Sequence, residues 1–402
     1  MAAAGVVRAV NALAGRWARA VLPVEAATRD TVFSPVGLWP LLAALAAGAD
    51  GDAREELEAA VGLRAPEAMA GARELTAALR RMPGVSAALG LWAREELELE
   101  PGWALSLPEQ TLGRLTGDPA VDKPRLDAWA KESTGGRIEA LPVAVDAETG
   151  LVLAAGLLAR TRWLNPFLEI GHWAEQGPWA GRDVHALIRH SAVLDRTAVI
   201  DAATGPVTEL RVLGDAGLDV HLLLGAEHAA PSTVLAAGLD ALTRPRLRTG
   251  ADRLPAGTPG PGLSIGYARS FHREPSLTAL VVPFDMSNEH DLLDHRAVFG
   301  LTSAADISRG HFSGISLGSP LAVGSARQTM TTKLTALGFE AAAVTAVSMV
   351  GAGIAPRPPY RVKQVEVTFD RPHGFLAVHR TSRLVLAAGW VGTAQTYEEP
   401  WD

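Results

Sequence analysis

Three groups of residues in this chain have types and spacings that could do chemistry. Gly314-Ile315-Ser316-Leu317-Gly318 fits the Gly-x-Ser-x-Gly turn that exposes a nucleophilic serine, and Asp370 and His373 follow in the order such a triad takes. That turn needs a buried strand before it and a helix after it. Here Ser308-Arg309-Gly310-His311 precedes it, Ser319-Pro320 follows, and no α/β alternation surrounds it, so Ser316 reads as an ordinary turn residue. The second group is histidine: His185 with His190, and His290 with His295, each five apart. Sharing one helical face takes a spacing of three or four, so these read as surface or hydrogen-bonded groups, and neither a metal nor a cofactor is expected. The third group is built to be acted upon. From Phe339, one parity reads Phe339, Ala341, Ala343, Thr345, Val347, Met349, and the other Glu340, Ala342, Val344, Ala346, Ser348, Val350. That is a strand pattern with one face suited to a core. Yet Gly338 opens the segment, and Gly351, Gly353, Pro356, Pro358 and Pro359 close it, as in a loop. Alanine propensity also makes Glu340–Ser348 compatible with helix. A segment able to be loop or strand suits a protein that must change state.

Composition limits what the rest can be. The chain has 402 residues, 48% apolar and 20% charged, enough for a sizeable globular core. A net charge of −7 and no basic run of five or more argue against nucleic acid as a partner. With no cysteine there is no disulfide framework, thiolate metal site or thiol nucleophile, which fits a reducing compartment. At the N-terminus, Val6, Val10, Leu13, Trp17 and Val21 share one helical face while Arg8, Arg16 and Arg19 interrupt the apolar run. This reads as an amphipathic helix and not an export signal, so the expectation is a cytoplasmic protein, with a leaderless route outward as the alternative. No window is long and apolar enough to span a membrane.

The elements that must hold the Gly338 segment read as helices first and strands later. Asp30-Thr31-Val32-Phe33-Ser34-Pro35 is a short strand running into a helix striped by Leu38, Leu41, Leu42 and Leu45. Asp52 and Glu55 have capping-box spacing for the next helix, which stops near Gly62. Further helices are predicted around Pro66–Arg80 and Lys123–Glu132. Leu151–Ala159 is too apolar for a half-exposed strand and suits a strand covered on both faces. Strands are predicted at Thr197–Ile200, Thr208–Val212, Val220–Leu224, Ala279–Phe284, Gln328–Leu334, Gln364–Phe369, Phe375–His379 and Leu384–Trp390, and Arg248–Gly262, rich in Gly and Pro, reads as loop. The fold class is therefore α+β. Trp17, Trp39, Trp129 and Trp163 read as core.

Several motifs, in order along nearly the whole chain, resemble those of the serpins, the fold-switching protease inhibitors. They are Phe33-Ser34-Pro35 with the helix ending Ala47-Gly48-Ala49-Asp50-Gly51; Leu126-Asp127-Ala128-Trp129 with Ser133-Thr134-Gly135-Gly136-Arg137-Ile138; and Leu153 to Phe167, closing on Arg162-Trp163-Leu164-Asn165-Pro166-Phe167. Val282-Pro283-Phe284, Val298-Phe299-Gly300-Leu301, Phe312-Ser313-Gly314-Ile315, the hinge Gly338 to Thr345, Phe369-Asp370-Arg371-Pro372 and Val385 to Val391 complete the set. The resemblance implies a serpin fold over residues 1–402: one domain, three β-sheets, eight or nine helices and an exposed reactive-centre loop at about 338–359. It implies a monomer with no catalytic residue of its own. A serine protease attacks the loop, and the cut loop enters the main sheet before the acyl-enzyme can be hydrolysed.

Family spacing implies Ala352–Gly353 as the scissile bond, fourteen residues after Gly338, and a small residue there suits elastase-like or subtilisin-like targets. The lengthened loop offers Arg357 or Arg361 as alternatives for a trypsin-like enzyme. The hinge is implied to be Gly338, Phe339, Glu340, Ala341, Ala342, Ala343, Val344 and Thr345, the sheet-opening region Ser34, Gly37, Ala155 and Gln328, and the breach Trp163. The chain departs from the family pattern where a small residue should follow the hinge glycine and stands as Phe339, where Ala336-Leu337 replaces an acidic pair, and where Gly37, Ala155 and Gln328 replace a network of Ser, Asn and His. A large group forced into a closed site costs about 1–3 kcal/mol. The alternative reading is therefore a non-inhibitory serpin, cut as a substrate or used as a scaffold or binding protein, in which Phe339 impedes insertion and Phe339→Thr would restore it.

Overall fold

The computed structural model describes residues 3–108, 110–133, 136, 150–318, 320–339 and 359–398. The scissile-bond residues Ala352 and Gly353, the alternative Arg357, and hinge residues Glu340 to Thr345 lie outside them, as does most of the Thr134–Ile138 motif.

Eight α-helices are described: α1 (Ala4–Val21), α2 (Pro35–Gly48), α3 (Gly51–Val61), α4 (Ala65–Arg80), α5 (Pro101–Ser106), α6 (Pro119–Ser133), α7 (Pro231–Thr243) and α8 (Arg296–Phe299). In α1 the face bearing Val6, Val10, Leu13 and Trp17 is buried, as its period requires. Helix α2 is apolar on every side and buried almost throughout; Ser34 caps it and Pro35 occupies its first turn. Helix α3 departs from the capping-box expectation. Its N-cap is Asp50, without a side-chain cap bond, and the Asp50 carboxylate instead accepts from the Ser313 backbone N–H at 3.1 Å. It does end at Gly62, whose φ of +72° only glycine adopts readily.

Three sheets carry the strands. The main sheet runs β3 (Leu112–Leu115), β2 (Val85–Arg94), β4 (Leu151–Ala159), β16 (Ser325–Leu334), β17 (Gly338–Phe339) and β5 (Thr161–Arg162), with β15 (Phe284–Asp291) on the other edge of β16. The second runs β1 (Thr31–Phe33), β20 (Leu384–Val391), β19 (His373–His379), β10 (Leu218–Leu224), β9 (Val207–Leu213), β8 (Thr197–Ile200) and β11 (Arg248–Gly250). The third runs β12 (Gly257–Gly260), β13 (Leu263–Ser270), β18 (Tyr360–Phe369), β14 (Ser276–Val281), β7 (Asp183–Ser191) and β6 (Leu168–Trp173). Three sheets and the α+β class agree with the sequence reading.

Strand β4 explains its own composition. Leu151, Leu153, Ala155 and Leu157 face the main core, while Val152 and Ala154 face a separate small cluster with Leu126 and Ala130 of α6. Two readings need correction. Ala279–Phe284 is not one strand: the segment breaks at Val282-Pro283, where proline cannot donate to a ladder, and β14 and β15 belong to different sheets. Arg248–Gly262 is not simply loop, because it supplies β11 and β12.

Candidate functional site: the anchors of the Gly338 segment and the sheet latch

Strand β16 ends at Leu334, and the chain reverses immediately. The Thr335 N–H donates to Gly338 O at 2.9 Å, and the Thr335 hydroxyl donates to the same oxygen at 3.1 Å. Trp163 holds this turn from outside: its indole Nε1 donates to Thr335 O at 2.9 Å, and its backbone N–H donates to Leu337 O at 2.9 Å. The Phe167 N–H takes Ala336 O at 2.8 Å. The breach residue inferred from sequence thus touches the hinge turn directly.

After the turn, Gly338 and Phe339 form β17. Phe339 pairs with Leu334 of β16 on one side and with Thr161 of β5 on the other, both antiparallel. Its side chain is 3% exposed and joins the main core. This changes the physical reading of Phe339. The residue does not wait outside a closed sheet; in the intact chain its backbone already pairs between two strands and its ring packs into the core. Fully burying such a side chain contributes about 1.5–3 kcal/mol, so here its bulk acts as an anchor.

Below β17 the sheet is sparsely paired. Strand β16 meets β4 in parallel only from Ser325↔Val152 to Gln328↔Ala155. Among the described residues, no ladder joins 329–333 of β16 to 156–160. At the lower contact the four sheet-opening residues come together. Gln328 and Ala155 are register partners, and a Cβ on Gly37 would lie 3.5 Å from Gln328 Nε2 and 3.8 Å from the Ala155 Cβ. Gln328 brackets one peptide position: it accepts from the Ser34 N–H at 2.7 Å and donates to Ser34 O at 2.9 Å. The Ser34 hydroxyl donates to Leu386 O at 2.7 Å and accepts from the Gly37 N–H at 3.3 Å. A long amide beside two small residues fills the space, and the groups it joins are buried, where an unmade hydrogen bond is costly.

Two members of this latch escaped the sequence reading. The Val32 N–H donates to Asn288 Oδ1 at 2.7 Å, and His290 Nε2 donates to Val32 O at 2.9 Å. Asn288 Nδ2 also reaches Asp30 O at 3.3 Å. Strand β1 pairs on one edge with β20. Its other edge is therefore satisfied by side chains: Asn288 and His290 of β15, and Gln328, which lies opposite His290 in the β15–β16 register. The available signal was parity, since Asn288 and His290 continue the inward face of Phe284 and Met286. Burial lowers the His290 pKa, with the bond to Val32 opposing it.

The remaining candidates do not assemble. Ser316 lies in an isolated bridge with Leu99, and its buried hydroxyl has no described partner. Asp370 faces His172 at 3.5 Å, while His373 Nδ1 donates to Arg371 O at 2.9 Å and burial pushes its pKa down to about 4. No contact among the described residues joins Ser316 to either. No group of three or more metal-ligating side chains is present among the described residues. Arg361 lies within β18, paired with Arg269 and stacked on Tyr267 at 4.6 Å, so a protease could take it only by unpairing the strand.

Sheets, helices and hinge together define a fold found across solved structures. Thyroxine-binding globulin in complex with thyroxine matches at TM-score 0.72 and 18% identity, covering 97% of this chain and 99% of that one. Native protease nexin-1 with heparin matches at TM-score 0.70 and 16% identity, covering 97% and 98%. Putative serpin-Z6C of Oryza sativa subsp. japonica is 26% identical over 394 residues, 91% of each chain. A family model described as Serpin (serine protease inhibitor) matches residues 8–170 and 269–393. The chain belongs to the serpin family.

Proposed function

We propose that this chain inhibits serine proteases of elastase or subtilisin type by a single-use trap. The protease cuts the segment 338–359, at Ala352–Gly353, and the strand begun by Gly338–Phe339 lengthens downward between β16 and β4 while the protease is still acylated. The supporting observation is β17 itself, already seated between β16 and β5 above a stretch where no described ladder closes the sheet. Each residue added there gains ladder hydrogen bonds and buries one face of a small, apolar sequence, which makes the transition downhill once the chain is severed. Opening must pass the β16–β4 contact at Gln328 and Ala155, beside the bracket on Ser34.

A second reading has an observation of its own. If the Gln328 bracket keeps β16 on β4, the strand stops at Phe339, and the chain is a substrate or a binding scaffold. One experiment separates the two. Incubation with a panel of elastase-like and subtilisin-like proteases, followed by denaturing electrophoresis, gives a stable band at the summed mass if the trap operates. It gives only cleaved chain and free protease if it does not.

A further inference from the structure

The C-terminal end of the segment is presented on a projecting ribbon. Strand β14 supports β18 only from Gln364 to Phe369, whereas β13 pairs with it from Tyr360 to Val367. Tyr360 to Lys363 therefore pair with Tyr267 to Ser270 alone, a two-stranded extension of about 13 Å. Strand β12 and most of β13 fall within residues 171–268, which the family model does not match.

This ribbon carries an unusual charge arrangement. Arg269 and Arg361 are direct cross-strand partners, a like-charge pairing that disfavours the ladder. Neither has a carboxylate partner among the described residues, and nor does Arg273. Arg361 lies over the Tyr267 ring at 4.6 Å, Arg273 lies over the Tyr360 ring at 5.0 Å, and Arg269 donates to Pro359 O at 3.3 Å. Stacking on aromatic faces holds guanidinium groups in place while leaving their donors unfilled. Tyr267 is 53% exposed and Phe271, close by in sequence, 48%. Exposed arginine and aromatic residues form the composition of interface hot spots, here in a chain of net charge −7.

We propose that Tyr267, Arg269, Phe271 and Arg361 form a docking surface for the attacking protease, selecting enzymes with carboxylates on the rim of the cleft that receives the C-terminal side of the cut. The inference rests on the trap reading above and names which proteases the trap meets fastest. Arg269 reaches Pro359, the last residue of the segment, so a protease engaging the C-terminal side of the proposed cut would be brought to this surface. Complementary charge there raises the association rate and makes it depend on salt.

The test uses the full chain and two proteases of small-residue specificity, one acidic and one basic around its cleft. The rate constant for attack on the loop is measured from low to high salt, for the wild type and for Arg269→Glu/Arg361→Glu. With the acidic enzyme the double variant should react about tenfold more slowly at low salt and lose its salt dependence. With the basic enzyme the rate should hold or rise. Unchanged thermal unfolding shows that the ribbon is intact, and Arg269→Lys/Arg361→Lys should retain most of the salt dependence. Equal rates for wild type and double variant with the acidic enzyme would overturn the proposal. So would loss of retention on a sulfated polysaccharide column with protease rates unchanged, which would assign the surface to a polyanion. Trap formation is read separately, from the stable band at the summed mass, so its failure is distinguishable from failure of the docking surface.

Discussion

The two ends of the Gly338 segment are anchored very differently. At the start, β17 is two residues long, reached through a tight turn, and held by one ladder pair with β16 and two with β5. At the finish, β18 is ten residues long and paired along eight with β13 and six with β14. Val365 lies between Ile265 and Leu277 and is fully buried. Connectivity assigns the consequence. On the proposed trap reading, a cut between the anchors would let the light end lengthen its strand while the heavy end stays in its sheet. Uncut, an insertion reaching the far end of the sheet would have to draw on β18, which two ladders hold. Under that proposal the contrast assigns the motion to β17 and the fixed post to β18.

Several measurements sharpen that contrast. Phe339→Thr should lower the stability of the intact protein by about 3 kcal/mol in chemical denaturation, as expected for losing a buried ring. It should leave the number of inhibitor molecules consumed per trapped protease nearly unchanged, because the ring is already inside. A sharp fall in that number would show that Phe339 obstructs the sheet and that its buried position is not the working one.

Acid should act next most strongly. His373 is pushed down to about 4 by burial, and His290 is lowered for the same reason. The unfolded chain therefore binds protons before the folded one does. Stability is fully present above about pH 6.5 and is lost as pH falls toward 4, by on the order of 3 kcal/mol for His373. His373→Phe should flatten that limb of the pH–stability curve, and an unaltered curve would remove His373 from the account.

Gln328→Ala is expected to cost about 2 kcal/mol, since it leaves the Ser34 N–H and C=O buried without partners. It should also loosen the latch, so that amides of β16 and β4 exchange hydrogen faster while those of β18 stay protected. Equal acceleration in β18 would mean that the two anchors are one cooperative unit.

Much of this architecture was legible because single segments announce their surroundings. Leu151–Ala159 had to be covered on both faces, and Phe33-Ser34-Pro35 had to turn from strand to helix. The sheet-opening residues were found through resemblance and meet in space, but the chemistry of their contact was not readable. A glutamine's parity does not reveal that it will bracket a peptide 294 residues away in sequence. Asn288 and His290 were missed because the strand reading stopped at Pro283–Phe284, just short of the inward-facing positions they extend. The ribbon was hidden for a related reason: Gly257-Thr258-Pro259-Gly260 has turn composition and becomes β12 only because β13 lies beside it. The position of Phe339 was least legible of all. Two residues carry no period, and whether a ring sits inside or outside a sheet depends on the gap that receives it.

The most direct test compares the thermal unfolding of intact protein with that of protein cut once between Gly338 and Pro359. Adding a central strand that buries several side chains should raise the midpoint by about 15 °C or more. A midpoint within about 2 °C of the intact protein's would mean that β17 does not lengthen after cleavage and that the chain is no trap.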